Sequence, residues 1–368
     1  MQKKYIFSYF FILAVLLIIM SLSHSTSDKI RGESVAIVSP LWEKIGGKKV
    51  DTKLPMKDEI HQLQLENQLL SNELSYLLSL FDYQEGIQSQ ANNFQIDISE
   101  EARQAIPKLT QNLKLQIEAV PARVLMRSFD TWNSSIWIDV GSDNNQSYSH
   151  EVIAKNSPVL VGNAVVGVID YVDKKQSRVR LITDEGLNPS VRAARGGEQE
   201  ITMGEQVDSV INWIKRKKLS QLSVEDKYKL LSLLNTLKTT LQPFKKSFYL
   251  AKGELRGSSK PSGRSLNPIL KGIGFNYDFD DEEGGGRDLR TGKPLQGKGE
   301  AVPILKVNDI LVTTGMDGVF PPGLKVATVT KVSLLKEGDY FYELEAQPLV
   351  HQLQQLDLVF VIPSLKSR

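Results

Sequence analysis

The run Tyr5 to Leu22 (YIFSYFFILAVLLIIMSL) contains no charged residue. It limits the chain more than any other feature. A helix rises ~1.5 Å per residue, so this run spans roughly 27 Å, close to the hydrocarbon core of a bilayer. Lys3 and Lys4 precede it, and the first acidic residue after it is Asp28. Cations favour the cytoplasmic side of a membrane. The pattern therefore predicts residues 1–4 as a cytoplasmic tail, 5–22 as a single transmembrane helix, and the remaining body outside. Ser21, Leu22 and Ser23 weakly imitate a signal-peptide cleavage site. The apolar run exceeds the usual length of such a signal, so an uncleaved anchor is expected. Either reading sends the body across the membrane.

Residues 23–56 are irregular, with Pro40, Gly46, Gly47 and Pro55. A heptad follows within residues 57–83. With Ile60 at position a, the seam runs Ile60, Leu63, Asn67, Leu70, Leu74, Leu77 and Phe81. Spacings of three and four keep these on one stripe of an underwound helix, which predicts a short coiled coil and a homodimer. A buried Asn at a favours an in-register parallel pair at some cost in stability. A single amphipathic helix packed on its own domain is the alternative. About three heptads are marginal alone, and membrane tethering would raise the effective concentration. Residues 84–115 read as a Gln/Asn-rich linker and a second helix capped at Ser99.

From residue 116 the period becomes two. Val120, Ala122, Val124 and Met126 alternate with Pro121, Arg123 and Leu125, and Ile136, Ile138 and Val140 alternate with Trp137 and Asp139. Further strands are expected over 158–161, 164–172 and 178–183. Gly141, Asn144, Gly162, Asp173 and Gly186 are among the residues that punctuate them. A second block runs from residue 269, with strands over 310–313, 325–335, 340–346 and 358–362. Pro322 and Gly323 suit the two centres of a type II turn, where proline presets φ and glycine accepts a positive φ. Two blocks of short strands predict two small β-barrels, at 116–195 and 269–368.

Residues 196–268 break this pattern. Val207, Val210, Ile211 and Ile214 stand at helical spacing. Ser223 to Asp226 resembles a capping box opening a helix with Leu230, Leu234, Leu237 and Leu241 on one face, ended by Pro243. A helical hairpin inserted on a β domain is expected. Trp213 beside Lys215, Arg216, Lys217 and Lys218 is a candidate docking surface for anionic lipid or an acidic partner. A solvated helix end, where cations suit the helix dipole, explains the same residues. The fold expected is thus mainly β with a helical N-terminal region.

Composition narrows the chemistry. With no cysteine among 368 residues, disulfides, thiolate zinc sites and cysteine nucleophiles are excluded. A net charge of +2 gives no reason to expect nucleic acid as a partner. Four histidines leave little material for metal binding or general-base catalysis. Residues 286–294 (GRDLRTGKP) superficially resemble a phosphate loop. They carry five intervening residues instead of four, and proline stands where magnesium needs a hydroxyl. Asp278, Asp280, Asp281, Glu282 and Glu283 crowd one loop, but Glu283 occupies the position an EF-hand gives to glycine, so a solvated acidic loop is expected. No catalytic, cofactor-binding or metal-ligating set is expected.

The stretch from Pro121 to Arg195 carries PARVLMRSFDTWNSSIWIDVGSDNN, VLVGNAVVGVIDYV and SRVRLITDEGLNPSVRA, and the second block carries NDILVTTGMDGVFPPGLKVATV and LQQLDLVFVI. These strings, in this order, resemble the periplasmic part of the MreC family, the bacterial rod shape-determining proteins. The motif positions are Asp309, Gly315, Pro321, Pro322 and Gly323. The family usually has Gly-Asp before the strand and Thr-Ser-Gly after it, where this chain has Asn308-Asp309 and Thr313-Thr314-Gly315. The 196–270 insertion is longer than the resemblance leads one to expect. The resemblance implies a non-enzymatic, cofactor-free scaffold in the bacterial inner membrane, with its body periplasmic. It implies a homodimer linking MreB and MreD shape proteins to a class B penicillin-binding transpeptidase. A periplasmic adaptor of a secretion or efflux assembly, which also joins anchor, coil and barrels, is the structural alternative. A wall hydrolase or protease is the enzymatic one, and the sequence offers no convergent titratable groups for it.

Overall fold

A computed structural model describes residues 118–127, 134–148, 150–216, 224–241, 248–257, 268–281, 284–297, 299–350 and 353–364. The expected transmembrane helix, the coiled-coil seam and the second helix lie outside these residues. Among the described residues, no helix is long and apolar enough to cross a membrane.

Twelve strands form the body. β1 (Val120–Arg127), β2 (Ser135–Ile138), β3 (Pro158–Val161), β4 (Ala164–Val172) and β5 (Ser177–Leu181) come first. After β6 (Ser190–Arg195) the chain makes two helices, α1 (Gly197–Arg216) and α2 (Val224–Thr240). β7 (Phe248–Arg256), β8 (Leu270–Asn276), β9 (Ile310–Thr313), β10 (Lys325–Val332), β11 (Tyr342–Pro348) and β12 (Leu358–Val361) follow.

The pairing closes two six-stranded circuits. One runs β4-β3-β12-β1-β2-β5 and returns to β4; the other runs β11-β8-β7-β6-β9-β10 and returns to β11. Closure removes the open edges that would otherwise invite pairing with other chains. The circuits touch where Lys325 of β10 pairs in parallel with Ala164 of β4, its amide donating to the Asn163 carbonyl at 3.0 Å.

This circuit membership corrects two sequence boundaries. β6, placed with the first block, pairs with β7 and β9 of the second barrel. β12, placed with the second block, sits between β1 and β3 of the first. The second barrel is therefore nested inside the first, between β5 and β12, rather than following it. A strand's own pattern states that it has a buried face but not which distant partner completes its ladder. A third correction falls in the 196–268 insertion. Its last part contains β7, a barrel strand, so the helical hairpin alone interrupts the sheet.

Alternation drives each barrel. In β5, Ser177, Val179 and Leu181 are buried while Arg178 and Arg180 are only half-buried. Ile136, Ile138, Val159, Ile169, Val179, Val359 and Val361 fill the first barrel; Val191, Leu255, Leu270, Phe275, Val326, Val329 and Leu344 fill the second. At Gly167 of β4 a Cβ would lie 2.0 Å from the Arg180 carbonyl oxygen, so only glycine lets β4 and β5 meet there.

Candidate functional site

The family-like motif brackets β9, with Asp309 just before the strand and Gly315, Pro321, Pro322 and Gly323 on the loop joining it to β10, and charged and hydroxyl side chains fix both ends. Asp309 is wholly buried. Its carboxylate accepts from Arg195 Nε at 2.7 Å and Nη2 at 2.6 Å, and from the Lys306 amide at 2.7 Å. Arg195 Nη1 donates to the Pro303 carbonyl at 2.8 Å. One guanidinium thus ties the end of β6 to the approach of β9, in the planar two-point geometry that arginine and carboxylate favour. Asn308 has φ of 72°. Asn enters this left-handed region more readily than other side chains, which explains how it stands where the family usually has glycine.

Beyond β9, the Thr313 hydroxyl donates to the Pro321 carbonyl and accepts from the Leu324 amide at 2.9 Å. The Gly323 amide donates to the Thr313 carbonyl at 2.9 Å. Gly323 has φ of 89°, as the turn chemistry requires, and Gly315 has φ of 82°, with Pro322 Cδ lying 3.4 Å from where its Cβ would be. The Asp317 carboxylate accepts from the amides of Val319 and Phe320 with one oxygen and from the Ser190 amide with the other, at 2.8, 3.0 and 3.1 Å. Pro321 and Phe320 are buried, while Met316 at the loop tip is 71% exposed. Gly315, Pro321, Pro322 and Gly323 therefore share one braced loop between β9 and β10, while Asp309 stands at the opposite end of β9, held by Arg195. Sequence reading missed Asp317 and Thr313 as braces of the loop, and Arg195 as the partner of Asp309. For Thr313 the signal available was a hydroxyl at a buried strand position.

The acidic loop is exposed at Asp278 and Asp280, as expected, but not at Asp281. Asp281 is paired with Arg192 and with Lys252 Nζ at 2.6 Å, and its side chain is only 14% exposed. Arg192 also donates to the Leu250 carbonyl at 3.1 Å and stacks 5.6 Å from the Tyr277 ring centroid. Lys252 lies 5.0 Å from the Phe279 centroid. Two cations already neutralise Asp281, so it belongs to the packing of β6, β7 and the 277–281 segment. Among the described residues, no group of metal-ligating side chains is assembled. Beside this cluster a cleft of about 490 Å³ is lined by Ser190, Lys252, Ile273, Phe279 and Met316. It therefore joins the braced loop to the β7–β8 face.

The residues singled out on the hairpin are partly placed. α1 begins at Gly197, ten residues before Val207, the first apolar position read at helical spacing. Val207, Ile211 and Ile214 are buried, but Val210 is 46% exposed and Trp213 49%. Lys215 is exposed and Arg216 ends the helix. Lys217 and Lys218 lie outside the described residues, as do Ile60, Leu63, Asn67, Leu70, Leu74, Leu77 and Phe81. Leu230, Leu234 and Leu241 are only half-buried and Leu237 is exposed, so the apolar face of α2 rests shallowly.

Two adjoining six-stranded barrels, with the carboxylates between their strands and loops held by cations and backbone amides, define a class of β-module built around its framework. The model of the rod shape-determining protein MreC, barrel core, matches residues 124–230 and 291–363. The chain belongs to the MreC family. Among solved structures it is similar to MreC from Pseudomonas aeruginosa, at 16% identity over 66% of this chain and 98% of that one, with a TM-score of 0.36. MreC from Listeria monocytogenes is 15% identical over 85% of this chain and 97% of that one, with a TM-score of 0.40. A complex between penicillin-binding protein PBP2 and MreC from Helicobacter pylori is matched at 10% identity over 66% of this chain and 96% of that one, with a TM-score of 0.31. No curated protein matches. With identities and TM-scores this low, the family assignment rests on the barrel-core match.

Proposed function

We propose that this chain is a non-catalytic, membrane-anchored scaffold for peptidoglycan synthesis and cell-shape maintenance. Residues 5–22 hold it in the inner membrane, residues 57–83 pair it with a second copy, and the barrels engage a class B penicillin-binding transpeptidase outside. MreB- and MreD-type shape proteins are its partners on the membrane and cytoplasmic sides. The observation that carries this reading is the barrel-core match over both β blocks. Two features support a framework role. The buried carboxylates Asp309 and Asp281 are saturated by strand-bridging partners. The exposed apolar side chains Met316, Ile273 and Phe279 surround an open cleft rather than an enclosed pocket.

The test is capture of the cell's class B transpeptidase by the full chain reconstituted in nanodiscs. Binding that weakens when Met316→Glu is introduced supports the reading. Absence of binding, with both proteins folded, contradicts it.

A further inference from the structure

The turn between β10 and β11 and the segment after β8 face each other across a cleft of about 840 Å³. Hydrogen bonds fix its walls. Arg290 Nη2 donates to the Lys336 carbonyl at 2.7 Å, and Asn276 Nδ2 to the Tyr340 carbonyl at 2.9 Å. The Tyr342 hydroxyl donates to the Leu289 carbonyl at 3.3 Å, and the Lys336 amide to the Asp339 carboxylate at 2.8 Å. The carboxylates of Asp278, Asp288, Glu337 and Asp339 line the cleft, against the one guanidinium of Arg290. Four negative groups less one positive group leave −3, in a chain whose formal net charge is +2. Lys293 and Lys336 are neighbours in sequence but do not line it. Thr291 already donates to Asp288. Asp278 and Glu337 are exposed, and among the described residues neither makes an ion pair or a hydrogen bond. The same lining exposes two large apolar groups, Tyr340 at 79% and Leu295 at 56%.

We propose that this cleft docks a short segment of a partner protein that carries lysine or arginine beside aromatic or aliphatic residues. Of the lining residues only Asn276 also lines the Met316 cleft, so the proposal goes beyond the transpeptidase contact. The charge selects a cation, because Asp278 and Glu337 offer carboxylates with no partner of their own. A bare metal ion does not suit the site, since among the described residues no group of metal-ligating side chains is assembled. The cation therefore arrives on a side chain. Exposed ion pairs bind weakly, so affinity has to come from apolar area leaving water at Tyr340 and Leu295. The tyrosine face also accepts a guanidinium, and tyrosine and arginine recur at the energetic centres of interfaces. A small amine would cover too little of so open a cleft. Anionic lipid and nucleic acid carry the wrong sign. The attraction is between exposed charges, so it fades as salt screens them.

The full chain in phosphatidylcholine nanodiscs is titrated into a fluorescein-labelled hexapeptide alternating lysine with phenylalanine and leucine, and anisotropy is read against empty discs. The expected result is saturable binding that Asp278→Asn with Glu337→Gln weakens roughly three- to tenfold. Adding Tyr340→Ala should weaken it further, with thermal melts showing that each variant folds. Salt should weaken binding by the unsubstituted chain more than by the doubly neutral variant. A peptide with glutamate for lysine should bind several-fold more weakly, as should one with serine for phenylalanine and leucine. Equal binding of either control peptide overturns the proposal, as does binding that the substitutions leave unchanged, or no binding at all. Lys260 and Arg264 are the basic residues between β7 and β8. Binding gained only after Lys260→Ser with Arg264→Ser would put a segment of this chain in the cleft. Sedimentation showing self-association broken by Asp278→Asn with Glu337→Gln would put a second copy there. Either result overturns the external partner.

Discussion

The wholly buried Asp309 holds both the Nε and the Nη2 of Arg195, at 2.7 and 2.6 Å, so the end of β6 and the start of β9 share one ion pair. The pair spans 114 residues of chain, and α1 and α2 lie within that span. The hairpin can therefore interrupt the sequence without interrupting the barrel.

Removing one member of such a pair leaves the other charge buried and uncompensated. Asp309→Ala is expected to cost about 3–5 kcal/mol. Denaturant unfolding should show a lower midpoint, with amides of β6 and β9 exchanging first. An unchanged midpoint would mean the pair is not formed in solution.

The backbone at residue 323 makes a second demand. With φ at 89°, a β-branched side chain there is strained, and Gly323→Val is expected to cost about 1–3 kcal/mol. Asn308, at φ of 72°, should tolerate glycine but resist valine for the same reason. Thermal melts of the four proteins would reveal the ranking. Equal losses for Asn308→Gly and Asn308→Val would contradict it.

Nesting of the barrels makes a sharper claim. Val359 and Val361 are buried in the first barrel although they lie near the end of the chain. Val361→Asp should therefore strip hydrogen-exchange protection from β1 and β3, its neighbours, before β8 and β11. Loss confined to β8 and β11 would restore the tandem arrangement.

Much of this was legible in the sequence. The strand patterns of β1, β2, β4, β5 and β10 are local, and so is the Pro322-Gly323 turn; each strand appeared within a few residues of where its pattern placed it. The exchange of β6 and β12 was not legible, because ladder partners are chosen across the whole chain. β7 was hidden too. Lys252, Gly253 and Glu254 interrupt its apolar face, and Lys252 finds its counter-charge on Asp281, far away in sequence. Gly323 was found by its turn chemistry and Gly315 through the family resemblance. Arg195 and Asp317, both half-buried, were missed because a charge bonded within the protein looks like a solvated one until its partner is known.

Asp288 provides a pH prediction. The hydroxyl and amide of Thr291 both donate to its carboxylate, and these bonds hold its pKa below the ordinary aspartate value. A lowered folded-state pKa stabilises the 288–291 turn at pH above the ordinary aspartate value. That contribution is lost as pH falls through the lowered one. Carboxyl titration by NMR should give a midpoint for Asp288 that rises in Thr291→Ala. A midpoint indifferent to Thr291 would show that the turn does not persist in solution.

The proposed coil is testable at Asn67. Asn67→Val should stabilise assembly of a peptide covering residues 57–115 and broaden its choice of oligomer. Sedimentation showing an unchanged dimer of unchanged stability would place Asn67 off the seam.

The central claim is that this polypeptide maintains cell shape by holding wall-building partners together. Depleting it from the cells that encode it, while following cell width by microscopy, tests that claim most directly. The account predicts progressive loss of shape, reversed by the full chain. Cells that keep their dimensions through complete depletion would contradict it.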